Sequence, residues 1–334
     1  MATRENSSVT VIGSGSWATA LVKILSQNVD RIHWWVRSRE TAEFIRKNRH
    51  NPSYITDVEI DVRKVSLTYD ITNAVDSSQV IILAVPSAFL KGALAKLPPE
   101  KLRGKIVFSA IKGIVPDDLM IVGEFMNKKY NVPLENFGVI TGPCHAEEVA
   151  MERLSYLTLA SQNGRNSKLL SSMLKCRFIR TTLSDDIYGT EYSAVMKNVI
   201  AIACGIYHGL GYGDNFQAVL VANAIQEIKR FVDTVHPITR DINDSAYLGD
   251  LLVTCYSQFS RNRTFGTMIG KGYSVKNAQL EMNMIAEGYF AAKCIHQLNK
   301  KLKTKMPITD AVYEILYEKK SAGVVMKGLT EKLA

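Results

Sequence analysis

Up to about Thr182, short runs of Val, Ile and Thr alternate with longer amphipathic stretches; after Ser184 the runs stop. The runs Val9–Ile12, Arg31–Val36, Val80–Val85, Ile106–Ser109, Val139–Thr141, Tyr156–Ala160 and Phe178–Thr182 predict strands. Several lack polar alternation, which is how strands buried on both faces read. The stretches between them, such as 18–28 and 117–129, predict helices, so this half reads as a doubly wound, mostly parallel α/β sheet. Beyond Tyr188, apolar residues recur three and four apart: Val195, Val199, Ile202 and Ile206, then Val219, Ala222, Ile225 and Ile228. That period predicts an all-helical second domain. The expected division is residues 1–183 and 184–334, with a hinge near Leu183–Asp186.

The first strand runs into a glycine turn and a helix: Val9-Thr-Val-Ile-Gly13-Ser-Gly15-Ser16-Trp17-Ala18. Gly13 and Gly15 hold the first two positions of a GxGxxG pattern, and Ala18 the third, where a small side chain suffices for helix–strand packing. Gly13 permits the sharp turn and Gly15 lets backbone approach a pyrophosphate, at which the free N–H groups of the helix start point. The Asp or Glu that binds ribose hydroxyls in NAD sites is missing at the end of the second strand, which reads Trp35-Val36-Arg37-Ser38-Arg39. Two cations and a hydroxyl suit the 2′-phosphate of NADP, so NADP is expected ahead of NAD; solvated surface is the plainer alternative.

Reduction of a carbonyl needs a proton donor beside its oxygen, and a lysine whose pKa is lowered toward neutrality can serve. Lys197 stands in an otherwise almost wholly apolar helix, where a charge must snorkel, pair or work. Asn198 beside it can donate to a substrate oxygen. Lys112 lies just past the carboxyl end of a predicted parallel strand, where such sheets bind ligands, although a loop lysine in water reads the same way. Asp250 and Thr254 fall one helical turn apart on one face; Asp250 could orient a lysine or merely be a helix-start acid. Ser260-Arg261-Asn262-Arg263 is a dense donor cluster suited to a phosphate, or a solvated run.

The composition narrows the alternatives. A net charge of +9 could signal a nucleic-acid binder, but the only dense basic stretch, Lys300–Lys305, has no aromatic interleaving and sits where a helix would end. Nucleic acid is therefore not expected as a partner. Five scattered cysteines fit no zinc template and read as reduced thiols in the cytoplasm, and no metal is expected. The longest apolar stretch falls far below the ~18–20 residues of a membrane span, so no integral membrane segment is expected.

In order, the segments GSGSWATAL, AVPS, IKG, TGPCHAEE, VMKNVIA, LGDLLVTC, SRNRTFG, AEGY and MPIT run from about residue 9 to 316. Together they resemble the bacterial NAD(P)-dependent glycerol-3-phosphate dehydrogenases. The resemblance implies reversible reduction of dihydroxyacetone phosphate by NAD(P)H to sn-glycerol 3-phosphate, the backbone precursor of glycerophospholipids, by a cytoplasmic homodimer. It implies that Lys197 is the catalytic lysine and that Lys112 contacts substrate and cofactor. Asp250 and Thr254 become the polar pair near the reacting centre. Ser260, Arg261 and Asn262 become the phosphate set, with Arg261 also near the cofactor. Ser16, Trp17 and Arg37 match cofactor contacts, Ala146, Ile285 and Glu287 line the nicotinamide side, and Gly142 and Cys144 line the substrate. The chain departs from the family's usual Gly at Ala18, and from its usual SGPTFA at Thr141-Gly-Pro-Cys144-His145-Ala146, where Cys144 replaces a hydroxyl.

Overall fold

The computed structural model describes residues 8–282, 284 and 286–333. Contacts divide the chain into two compact units, one of residues up to Ile111 with Val122–Ile187, the other of Lys112–Ile121 with the chain from Tyr188 onward.

The first unit is built from β1 (Ser8–Ile12), α1 (Ser16–Leu25), β2 (Arg31–Trp35), α2 (Arg39–Asn48), β3 (Val65–Thr68), α3 (Ile71–Asp76), β4 (Val80–Leu83), α4 (Ser87–Leu94) and β5 (Ile106–Ser109). Two very short strands of the second unit follow, β6 (Ile114–Val115) and β7 (Met120–Ile121). The first unit resumes with α5 (Val122–Tyr130), β8 (Phe137–Thr141), α6 (Ala146–Ala150), β9 (Ser155–Ala160), α7 (Gly164–Leu174) and β10 (Ile179–Ser184). Its eight strands form one sheet in the order β10-β9-β8-β5-β4-β1-β2-β3. Every pairing is parallel except β8 with β9. The strands without polar alternation behave as their sequence predicts: β4 and β8 are buried at every position, Thr141 included. The sheet's core joins Val9, Val11, Ile32, Trp34, Ile82 and Phe108 with Ala18, Leu21 and Leu25 of α1.

The second unit is helical apart from the β6–β7 hairpin. Its helices are α8 (Ile187–Gly209), α9 (Asp214–Val235), α10 (Asp250–Tyr256), α11 (Arg261–Gly270), α12 (Val275–Glu281), α13 (Glu287–Leu302), α14 (Pro307–Leu316) and α15 (Ala322–Thr330). Its own core centres on α8, whose Val195, Val199, Ile202 and Ile206 are fully buried, and takes in Ile114 and Ile121 of the hairpin.

Three expectations change. The edge strand β3 carries no run of β-branched residues, only a four-residue alternation. The helix expected over 117–129 begins at Val122, because Leu119 at φ +52° turns the chain into the antiparallel β6–β7 pair first. The buried stripe of α9 is Leu220, Val221, Ala224, Glu227, Ile228, Phe231 and Val232, whereas Val219 is exposed. A carboxylate belongs to that stripe. Glu227 is fully buried and accepts hydrogen bonds from the backbone N–H of Ile308 and of Thr309 and from the Thr309 hydroxyl, capping the start of α14. Of the expected stripe only Ile228 is buried: Ala222 is exposed and Ile225 half-buried, because a carboxylate occupies part of the buried face and hid it from an apolar period.

Candidate active site

The glycine turn is constructed as the motif requires. Gly13 has φ +140°, and a Cβ there would stand 2.3 Å from the Ala84 carbonyl oxygen, so no other residue fits without moving backbone. Its N–H donates to the Trp35 carbonyl and its own carbonyl accepts from the Trp34 indole at 2.6 Å. Gly15 is different. It is the N-cap of α1, has no side chain to cap the helix, and a Cβ built on it meets nothing within 4 Å. The open space, the N–H groups at the helix start and the buried Trp17 indole nitrogen, which has no partner among the described residues, fit a bound dinucleotide phosphate. Two supports of this turn carry no motif. Asn51, buried and 32 residues beyond Thr19, donates to the Ser14 carbonyl at 3.1 Å and to the Thr19 hydroxyl at 2.9 Å. Trp34 is the other.

At the end of β2 the three polar residues separate. Ser38 caps α2 by accepting the Thr41 N–H, and Arg39 pairs with Glu43 at 2.7 Å. Arg37 is exposed and makes no ion pair among the described residues. Gly142, Cys144 and Ala146 follow β8. Gly142 has φ +107°, and a Cβ on it would lie 2.8 Å from the Tyr156 carbonyl, which gives this glycine a backbone reason of its own. Cys144 and Ala146 are buried.

In the helical unit, residues far apart in sequence converge. Lys197 is only 5% exposed, and its ammonium donates to Asp250 Oδ1 at 2.6 Å and to the Thr254 hydroxyl at 2.8 Å. Lys112 donates to both Asp250 oxygens at 3.1 and 3.0 Å. Asp250 opens α10 with Thr254 one turn later, so both face the lysine; the Thr254 hydroxyl also donates to the Asp250 carbonyl at 2.6 Å. Thus Lys197 pairs rather than snorkels, and Asp250 serves two cations. Burial, helped by the nearby Lys112 charge, lowers the Lys197 pKa to about 7 even against the pull of Asp250. Burial pushes the Asp250 carboxyl upward, but Lys112 and Lys197 more than reverse it, and the carboxylate is held below its ordinary range. The result is a buried ammonium near its titration point, locked beside a permanent carboxylate.

Asn198 and Asn262 belong to the same cluster. Asn198 donates to the Lys112 carbonyl at 2.7 Å and accepts from Asn262 at 2.9 Å. The Ser260–Asn262 run divides by position: Ser260 is the buried N-cap of α11, Asn262 is buried, and Arg261 reaches Met284. Glu287 opens α13, and Ile285 lies outside the described residues. Among the described residues no group of three or more His, Cys, Asp or Glu side chains could hold a metal, and no helix is long and apolar enough to cross a membrane.

Comparison with known proteins matches both units. A model of the NAD-dependent glycerol-3-phosphate dehydrogenase N-terminus matches residues 8–167, and one of the same enzyme's C-terminus matches 186–327. A glycerol-3-phosphate dehydrogenase [NAD(P)+] of Bacillus pumilus is 33% identical over 97% of this chain and 94% of its own. The crystal structure of glycerol-3-phosphate dehydrogenase from Coxiella burnetii superposes with a TM-score of 0.91 at 27% identity, covering 98% and 99% of the two chains. D-mandelate dehydrogenase with NADH is similar in fold alone, with a TM-score of 0.59 at 17% identity over 95% of this chain and 99% of its own.

Proposed function

From the premise that this chain belongs to the NAD-dependent glycerol-3-phosphate dehydrogenase family, we propose that it reduces dihydroxyacetone phosphate to sn-glycerol 3-phosphate, reversibly, with NADPH preferred over NADH. The observation that carries the reading is the buried Lys197 ammonium, with a pKa of about 7, held on Asp250 and Thr254. A general acid works best when its pKa lies near the operating pH.

The nicotinamide, when bound, supplies the hydride. Residues of the first unit hold the cofactor: the backbone at Gly13, Gly15 and Ser16 takes the pyrophosphate, Trp17 flanks it, and Arg37 takes the 2′-phosphate. Lys197 Nζ holds the proton for the carbonyl oxygen of the substrate and stabilises the developing alkoxide. Asp250 orients Lys197 and keeps it charged, and Lys112 fixes Asp250. Ser260, Arg261 and Asn262 take the substrate phosphate, so binding energy remote from the carbonyl positions it. Gly142, Cys144, Ala146, Ile285 and Glu287 are assigned as lining residues. The physiological role is supply of the glycerophospholipid backbone, in the cytoplasm, where five free thiols are at home. The reading extends to a homodimer, which sedimentation equilibrium tests.

The decisive experiment follows NADPH and NADH absorbance in parallel on adding dihydroxyacetone phosphate, with 2-oxo acids as controls. Loss of absorbance with the phosphorylated ketone alone is expected. No loss in folded protein would reduce the chain to a dinucleotide-binding protein without this chemistry. Lys197→Ala is expected to lower kcat by about 10²–10⁴-fold, the span of general acid–base catalysis; near-normal turnover would remove the assigned role.

A further inference from the structure

Asn198 and Asn262 are links in a chain of hydrogen bonds with a direction. The Gly288 N–H donates to Asn262 Oδ1 at 2.9 Å, Asn262 Nδ2 donates to Asn198 Oδ1 at 2.9 Å, and Asn198 Nδ2 donates to the Lys112 carbonyl at 2.7 Å. A carboxamide can ordinarily be turned over, exchanging its donor and acceptor ends. Here neither can. The chain begins on a backbone N–H, which only donates, and ends on a backbone carbonyl, which only accepts. Turning either amide would set nitrogen against nitrogen or oxygen against oxygen.

Gly288 makes the first link possible. A Cβ on it would stand 2.4 Å from the Asn198 carbonyl oxygen, so only glycine lets α13 come this close to α8. The N-cap of α13 is Ala286, which has no side-chain acceptor, and the oxygen that meets the helix start comes instead from Asn262 on α11. Glycines also seat α11 on α8: a Cβ on Gly205 would lie 2.1 Å from the Arg263 carbonyl, and one on Gly266 2.1 Å from that of Ile202. The spacing of the two amides is therefore fixed by backbone against backbone.

The direction has a chemical result. Each amide oxygen already accepts one bond inside the chain, while each amide nitrogen uses only one of its two N–H groups there. Asn198 and Asn262 remain 5% and 8% exposed; Asn198 adjoins Lys197 in the chain and donates to the Lys112 carbonyl. Such an array offers donors and suits a group that only accepts, as a phosphate dianion does. We propose that Gly288 is a positioning residue: with the Lys112 carbonyl it sets the polarity of the Asn262–Asn198 relay, so that the site presents N–H donors to the anionic end of its substrate. This rests on the reading that the substrate is a phosphate ester.

The test is a double-mutant cycle with Gly288→Ala and Asn198→Leu. Two quantities are read in NADPH-saturated protein: KM for dihydroxyacetone phosphate, and Kd for inorganic phosphate by ³¹P NMR titration, which needs no turnover. Each single variant is expected to raise both constants at least tenfold while kcat falls less than threefold. Because both act through one relay, the double variant is expected to be no worse than the poorer single. Constants within twofold of wild type in folded Gly288→Ala, or single effects that multiply in the double variant, would overturn the proposal. If Gly288→Ala does not fold, replacement of Gly288 by glycolic acid, which removes the N–H and adds no Cβ, takes its place in the cycle under the same criteria. Failure of the wild type to turn over dihydroxyacetone phosphate would instead overturn the substrate reading, and the phosphate titration would still decide the relay.

Discussion

Replacing Asp250 by Asn keeps the shape of the side chain but withdraws the negative charge that two lysines share. In the native site Asp250 is the group that raises the Lys197 pKa, against burial and Lys112, which lower it. Removing one partner of a buried ion pair costs about 3–5 kcal/mol, because the remaining charge is stranded. Lys197 can escape that cost by releasing its proton. Even a shift of ~2 pKa units, about 2.7 kcal/mol, would leave roughly one molecule in a hundred protonated at pH 7, against about half in the wild type. The kcat for reduction should then fall about 50-fold at pH 7 if it follows the protonated fraction. At pH 5 the deficit should shrink to about twofold, because acid restores the ammonium. The sign for stability follows from the same shift. Lys197 already has a folded pKa below its ordinary 10.5, so folding releases a proton and stability rises with pH between about 7 and 10.5. In Asp250→Asn that rise should start at lower pH. Initial rates of NADPH oxidation from pH 5 to 9, with circular dichroism at each pH, test this. An alkaline limb that stays near pH 7 in the folded variant would refute the claim that Asp250 holds the charge on Lys197.

The two glycines of the phosphate turn should separate stability from binding: Gly15→Ala is expected to melt within a few degrees of wild type but to bind NADPH at least tenfold more weakly, while Gly13→Ala loses stability first, since its Cβ meets the Ala84 carbonyl. Thermal melts and fluorescence titration distinguish the two. Arg37→Asp should weaken NADPH binding and spare NADH, and equal loss of both in a titration would show that Arg37 does not read the 2′-phosphate. Glu227→Gln sets an N–H against backbone donors of α14 and should cost about 1–3 kcal/mol, read from the denaturation midpoint at unchanged m-value. Burial raises the Glu227 carboxyl to about 7, so the wild type should lose stability as pH rises from about 4.5 through 7, and that dependence should vanish in the variant.

The buried strands were legible because a parallel sheet covered on both faces leaves a run of apolar residues that nothing else explains. β3 was not, because a four-residue edge strand needs no such run. Lys197 announced itself as a charge in an apolar helix, and Asp250 and Thr254 by their one-turn spacing. That they meet, across 53 and 57 residues, is a product of helix packing and left no local mark. The same holds for Lys112, which reaches Asp250 across 138 residues. At the end of β2 the residues themselves offered two arginines and a serine; only the fold shows Ser38 capping a helix and Arg39 paired with Glu43. Asn51 and Gly288 were silent, since an amide and a glycine acquire meaning only from what stands opposite them.

The segment Lys112–Ile121 belongs to the helical unit, although it is spelled within the sequence of the sheet unit. The chain therefore crosses from one unit to the other three times, not once. A gene fragment cut at the obvious seam near Ser184 would encode helices α8 to α15 yet omit part of their own centre. It would lack the hairpin residues Ile114 and Ile121 from the core, the carbonyl on which Asn198 ends, and one of the two cations on Asp250. Recombination between relatives at that seam would pair one parent's Lys112 with the other parent's Asp250. The two halves are thus tied as units of inheritance: a change at Asp250 in the helical half constrains Lys112, written in the other.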